Sequence, residues 1–193
     1  MTALITTDLV RLGADWGSDK HDVIRALAAV VDDAGRATSK DQLVEDTFAR
    51  ESTSATGLPG GIAIPHCRTS GVEVPTLAFA RLEPPVDFGA KDGPADLAFL
   101  IAVPEGGDAN HLKILTKLAK ALVKPDFSAG LRSAGTAAEA AALVESALEP
   151  APPATDPATP GSAPLTGGSR VARRTIVAVT ACPTGIAHTY LAA

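Results

Sequence analysis

Aromatic side chains are scarce in this sequence: five Phe, one Trp and one Tyr make up 4% of its 193 residues. Any core must therefore be assembled mainly from Leu, Val, Ile and Ala, and a 46% hydrophobic content supplies enough of them. Only two cysteines occur, Cys67 and Cys182. That is too few for a disulfide scaffold, so free thiols are expected. No run approaches the roughly 20 apolar residues that a bilayer-spanning helix needs. The longest strongly apolar stretch, Leu97 to Val103, suits a buried strand instead. The N-terminus lacks a basic region followed by an apolar one, since Asp8, Arg11 and Asp15 interrupt it, and a cytoplasmic chain is expected. Clustered basic residues are missing too. Residues 1–149 hold 14 Lys and Arg against 21 Asp and Glu, a net of −7, whereas the remainder holds three against one, a net of +2. Nucleic acid is excluded as a partner, because neutralising phosphates requires gathered Lys and Arg.

What is present divides the chain in three. Residues 1–149 alternate helix and strand signals. Ser18-Asp19 precedes a helical pattern carrying Val23, Ile24, Leu27, Val30 and Val31 on one face, and Gly35 ends it. Thr38, with Asp41 three positions on, opens a second helix bearing Leu43, Val44 and Phe48. Thr76 to Leu82 and Asp96 to Val103 read as strands, the second apolar enough for the middle of a sheet. Asp108 then caps a helix running to Lys124, with Leu112, Leu115, Leu118 and Leu122 inward. Thr136 and Glu139 form a capping-box pair for a last, alanine-rich helix ending near Leu148. Together these elements predict a three-layer α/β domain with a mixed, mostly parallel sheet and helices on both faces. Pro150 to Ser169 holds six of the chain's 15 prolines and almost no apolar side chains. Residues 150–172 are accordingly expected to be a linker. Residues 173–193 offer one apolar strand, TIVAVTA, and a loop turning into a helix. That is too little for a domain, so they read as the start of one cut short.

Two positions carry chemistry. The first is His66, at the end of GGIAIPH. Ile62-Ala63-Ile64 is a short apolar run, and Pro65 is expected to stop sheet pairing, leaving His66 rigid yet reachable at a strand end. A neutral imidazole can attack phosphorus, and its phosphorylated form remains a good leaving group. The second ring nitrogen then needs a hydrogen bond, a backbone carbonyl being the expected acceptor. Upstream, RESTSATGLPGG places Arg50, Glu51, Thr56 and Gly57, and arginine forks and glycine amides are suited to phosphate oxygens. His111 falls in the first turn of the helix after Asp108, at its positive end. The residues alone leave plainer readings open: a loop histidine at 66, a capped one at 111, and a solvated helix end at Arg50 and Glu51.

The second position is Cys182, which TIVAVTA delivers to a helix start in CPTGIAHT. A helix N-terminus acidifies a thiol, and loop amides can cradle a phosphate on its sulfur. A buried strand-end cysteine is the plainer reading. Zinc is not expected, because Cys182 and His188 supply only two ligands.

RESTSATGLPGGIAIPH, together with the opening LITTDLVRLGADWGSDKHDVI, resembles the fructose/mannitol class of enzyme IIA domains of the bacterial phosphoenolpyruvate-dependent sugar phosphotransferase system. The resemblance covers residues 1–149 and includes HLKIL at His111. CPTGIAHT resembles the start of fructose-type enzyme IIB domains. These resemblances imply that His66 is a phosphoryl acceptor supported by Arg50, Thr56 and His111, and that Cys182 is the next acceptor. They also imply the carrier protein HPr as donor, an enzyme IIB domain and a membrane-embedded enzyme IIC sugar transporter as partners, fructose as the sugar, and no cofactor or metal. Such a chain works at the inner face of the membrane when it is part of a full transporter. A regulatory IIA-like carrier and the mannitol branch are the alternatives.

Overall fold

The most apolar stretch of the sequence lies at the centre of the fold. In the computed structural model, which describes residues 3–106, 110–122 and 124–148 without the side chains of 110–115, every residue from Leu97 to Val103 is fully buried. They belong to β6 (Ala95–Pro104). The other strands are β1 (Val10–Ala14), β2 (Gly57–Leu58), β3 (Ile62–Ala63), β4 (His66–Thr69) and β5 (Thr76–Val86). Their order is β1-β5-β6-β3-β2, with β4 also pairing β6. β1 runs parallel to β5, and both β3 and β4 run parallel to β6, whereas β5–β6 and β2–β3 are antiparallel. Phe79 faces Phe99 across β5 and β6, their rings stacked 4.7 Å apart between centroids.

Helices flank this mixed sheet as the hydrophobic patterning predicts: α1 (Lys20–Asp33), α2 (Lys40–Thr53), α3 (Asn110–Leu122), α4 (Pro125–Ser133) and α5 (Ala137–Leu148). α1 and α2 pack on each other, α1 against β5 and α2 against β4. α3, α4 and α5 form a second packed group, with α5 reaching β1. Of the expected face residues, Val23, Ile24, Leu27, Val30, Val31, Leu43, Leu118 and Leu122 are buried, Val44 and Phe48 are partly buried against the core, and the side chains of Leu112 and Leu115 lie outside the described residues. Among the described residues, no helix is long and apolar enough to cross a membrane.

The caps explain where the helices start. The Asp19 side chain accepts from His21 N at 2.6 Å, and Gly35, at φ +67°, closes the far end of α1. At α5 the two capping-box bonds are both present: Thr136 Oγ1 accepts from Glu139 N, and Glu139 Oε2 accepts from Thr136 N. Three expectations need correction. Ser39, not Thr38, caps α2 by accepting from Gln42 N, because the Thr38 hydroxyl donates to the Ser70 carbonyl instead. The helix expected through Lys124 ends at Leu122, and Lys124 caps a separate α4 with Pro125 in its first turn. Pro65 interrupts the sheet only locally: its carbonyl accepts from Ile101 N at 3.0 Å, and pairing with β6 resumes at His66. The Asp108 cap and residues 150–193, with the expected linker and second-domain start, lie outside the described residues.

Candidate functional site

His66 opens β4, opposite Ile101 of β6. Sheet alternation leaves the imidazole half-buried, Cys67 buried and Arg68 exposed. The ring is held by its own backbone: His66 Nδ1 lies 2.8 Å from the Ile64 carbonyl. A carbonyl only accepts, so Nδ1 carries the proton and Nε2 the lone pair. This is the carbonyl-bonded arrangement that nucleophilic use of the ring requires. Burial is the main influence on its basicity and pushes the pKa below the usual histidine value. The Ile64 carbonyl opposes that shift, Arg50 adds to it, and Glu51 opposes it. The neutral ring therefore persists to more acidic pH than in an unperturbed histidine.

Around the ring lies a cleft of about 370 Å³ lined by Asp46, Ala49, Arg50, His66, Cys67 and Arg68. Two residues singled out from the sequence thus meet here, His66 and Arg50. Arg50 comes from the last turn of α2 and donates to the Ser54 carbonyl at 3.3 Å. Arg68 was not singled out, although period-two alternation places it on the same strand face as His66. Two cations and a neutral imidazole against the single carboxylate of Asp46 leave the lining named here net positive, a setting for an anion.

Thr56 is placed differently. It is buried and does not line the cleft; its hydroxyl donates to Glu51 Oε2 at 2.6 Å and its carbonyl accepts from Ile64 N at 3.0 Å. Gly57 beside it donates to the Phe88 carbonyl at 3.1 Å. A Cβ at Gly57 would sit 2.7 Å from the Ala90 amide nitrogen and 2.8 Å from the Phe88 oxygen, so only glycine permits this approach. The sequence places Glu51 in the motif without marking it as a site residue. Its carboxylate is buried and pairs with Lys20 Nζ at 3.0 Å. Nothing local in the sequence joins residues 20 and 51; helix packing does.

Cys67 has no part in this chemistry. Its thiol is buried, accepts from Thr47 Oγ1 at 3.2 Å, and is pushed up to about 11 by burial, so it remains protonated at neutral pH. The backbone of His111 lies in the first turn of α3, while its side chain, like all of Cys182, lies outside the described residues.

Residues 3–147 match the family model described as "Phosphoenolpyruvate-dependent sugar phosphotransferase system, EIIA 2". The chain belongs to this family. Its EIIA domain is accordingly a phosphocarrier component of the sugar phosphotransferase system. The chain is 39% identical, over its whole length, to a "PTS system fructose-specific EIIABC component" of Bacillus subtilis, of which it spans 29%. Over 63% of its length it is 41% identical to a "Nitrogen regulatory protein" of Pseudomonas aeruginosa, matching 79% of that protein. Among solved structures, the nitrogen regulatory protein IIA-Ntr from Neisseria meningitidis superposes with a TM-score of 0.67 at 32% identity, covering 73% of this chain and 96% of that one.

Proposed function

We propose that the EIIA domain accepts a phosphoryl group on Nε2 of His66 and passes it to an enzyme IIB cysteine for the phosphorylation of fructose during uptake. The observation that carries this is the 2.8 Å bond from Nδ1 to the Ile64 carbonyl, which leaves the lone pair on Nε2. In the accepting step that lone pair forms the new N–P bond as the P–N bond to the donor's phosphohistidine breaks. The electron pair returns to the donor ring. His66 then carries the phosphoryl group on Nε2 and a proton on Nδ1, and the Ile64 carbonyl stabilises the resulting positive ring. Arg50 and Arg68 offset the phosphoryl charge, so positioning and electrostatics supply most of the rate. HPr is the donor in this reading, and His111 is a supporting group at the N-terminal end of α3.

The downstream acceptor is Cys182, in a IIB segment at residues 173–193 tethered by a linker at 150–172. A thiolate there attacks phosphorus as the N–P bond to His66 breaks, and the linker keeps the two groups at high effective concentration. Alignment of the whole chain with a fructose-specific EIIABC component supports this arrangement and the fructose branch. A purely regulatory carrier is the second reading, favoured by the similarity to nitrogen regulatory proteins. A regulator of that kind has no use for a cysteine acceptor.

Incubating the chain with phosphoenolpyruvate, enzyme I and HPr tests the reading. The expected result is an acid-labile phosphoryl group that a Cys182→Ser variant retains on histidine. Absence of any label under conditions that charge HPr would refute it.

A further inference from the structure

Beneath the cleft runs a continuous series of hydrogen bonds that ends on the reactive ring. Lys20 Nζ, in the first turn of α1, donates to Glu51 Oε1 at 3.0 Å. Glu51 accepts twice more, from the Thr56 hydroxyl at 2.6 Å on Oε2 and from Thr56 N at 3.4 Å on Oε1. The Thr56 carbonyl accepts from Ile64 N at 3.0 Å, and the Ile64 carbonyl accepts from His66 Nδ1 at 2.8 Å. We propose that Lys20 and Glu51 are positioning residues for His66, fixing its ring through Thr56 and Ile64; this rests on the reading of His66 as the phosphoryl acceptor.

The links are geometric. The direction of the Ile64 carbonyl decides where the imidazole points. Downstream, the chain is anchored to the sheet by the Pro65 carbonyl, which accepts from Ile101 N, and by the pairing of β4 with β6. Upstream, β3 holds Ile62–Ala63 on β6, and the Ile64 amide itself donates to the carbonyl of Thr56, whose hydroxyl and amide are held by a carboxylate that is 1% exposed. A buried ion pair is weak support for stability, since its desolvation largely cancels its attraction. It does fix geometry, because removing either partner leaves a buried group unsatisfied. The pairing of a reactive or ligating histidine with an orienting partner behind it follows the same logic.

Charge acts alongside geometry. Phosphoryl transfer makes the ring positive, and Glu51 is a nearby negative group that favours that state. Among the described residues, the other charged groups facing the ring are Arg50 and Asp46 from α2 and Arg68 from β4, with Lys20 from α1 behind Glu51.

The test uses the full chain with Glu51→Gln, Lys20→Met and Lys20→Arg, none of which touches the cleft. The His66 ring is followed by nitrogen-15 NMR over pH, and phosphoryl acceptance from phospho-HPr by single-turnover kinetics. Glu51→Gln is expected to lower the ring's titration point below wild type, because a group that favours the protonated ring is gone. Both Glu51→Gln and Lys20→Met are expected to displace the ring nitrogen signals and to slow acceptance about tenfold, the scale typical of orienting partners. Lys20→Arg keeps the ion pair and is expected to restore the wild-type signals and a rate within about twofold. Ring signals and titration unchanged in both Glu51→Gln and Lys20→Met would overturn the proposal, even if stability fell. Should Glu51→Gln fail to fold, Lys20→Met against Lys20→Arg decides alone, since the Lys20 side chain is 29% exposed. A wild-type chain that takes no label, but whose ring signals move in these variants, refutes the acceptor reading and leaves the positioning role standing.

Discussion

His66→Ala is expected to lower phosphoryl acceptance from phospho-HPr by at least about a thousandfold, the scale set by removing an enzyme's nucleophile. The size of the loss follows from the cleft's other residues. Cys67, adjacent in sequence, is buried with its pKa pushed up to about 11, so it offers no thiolate near neutral pH. Arg50 and Arg68 can hold an anion but are not nucleophiles, and Asp46 in the same cleft repels one. The fold should barely notice. The imidazole is half-buried and bonds a backbone carbonyl, so its removal costs about 1 kcal/mol. Urea unfolding run beside the kinetics separates the two effects: a small change in midpoint with near-complete loss of label is expected. A variant that labelled at more than a tenth of the wild-type rate would move the nucleophile elsewhere.

Phe99→Ala is the converse case, with a large effect on stability. Phe99 lies in the middle of β6, fully buried, and stacks on Phe79 of β5. Aromatics are few, and Phe79, Phe88 and Phe99 are the largest fully buried side chains in the domain. Truncation leaves a cavity beside the Phe79 ring on that face of the sheet. A cost of about 3–5 kcal/mol is expected, out of the roughly 5–15 kcal/mol that holds a typical domain together. At this domain size the melting temperature should fall by roughly 10 °C or more. β6 is also the rail along which β3 and β4 place Ile62–Ala63 and His66. Differential scanning calorimetry would show the loss; a change of less than about 1 kcal/mol would mean that the core relaxes around the gap.

Much of this was legible in the sequence, for local reasons. The Asp19 cap, the Thr136–Glu139 box and the inward face of α1 depend on residues within a few positions of each other. So does the run Leu97–Val103, whose continuous apolarity already points to the middle of a sheet. At the site, the bond from a His66 ring nitrogen to a nearby backbone carbonyl was readable locally, whereas the acceptor role proposed for His66 comes from the family resemblance. The rest depended on contacts between distant residues. Pairing resumed after Pro65 because β6 extends past it, which no local rule reveals. β2 and β3 are two residues each, too short to carry a periodicity. Thr38 lost the cap of α2 to its neighbour because the Ser70 carbonyl, 32 positions away, takes its hydroxyl. Lys20 and Glu51 stand 31 positions apart, and only the packing of α1 on α2 unites them. The start of α4 is the exception: Pro125, next to the expected helix end at Lys124, is a local signal for a new helix that is not among the expected elements.

The central claim concerns one atom. Nitrogen-15 and phosphorus-31 NMR of a histidine-labelled Cys182→Ser chain, charged with phosphoenolpyruvate, enzyme I and HPr, reads it directly. The prediction is a single phosphoryl group coupled to Nε2 of His66, with the proton retained on Nδ1. Phosphorus on Nδ1, or on another side chain with His66 unmodified, would contradict the account.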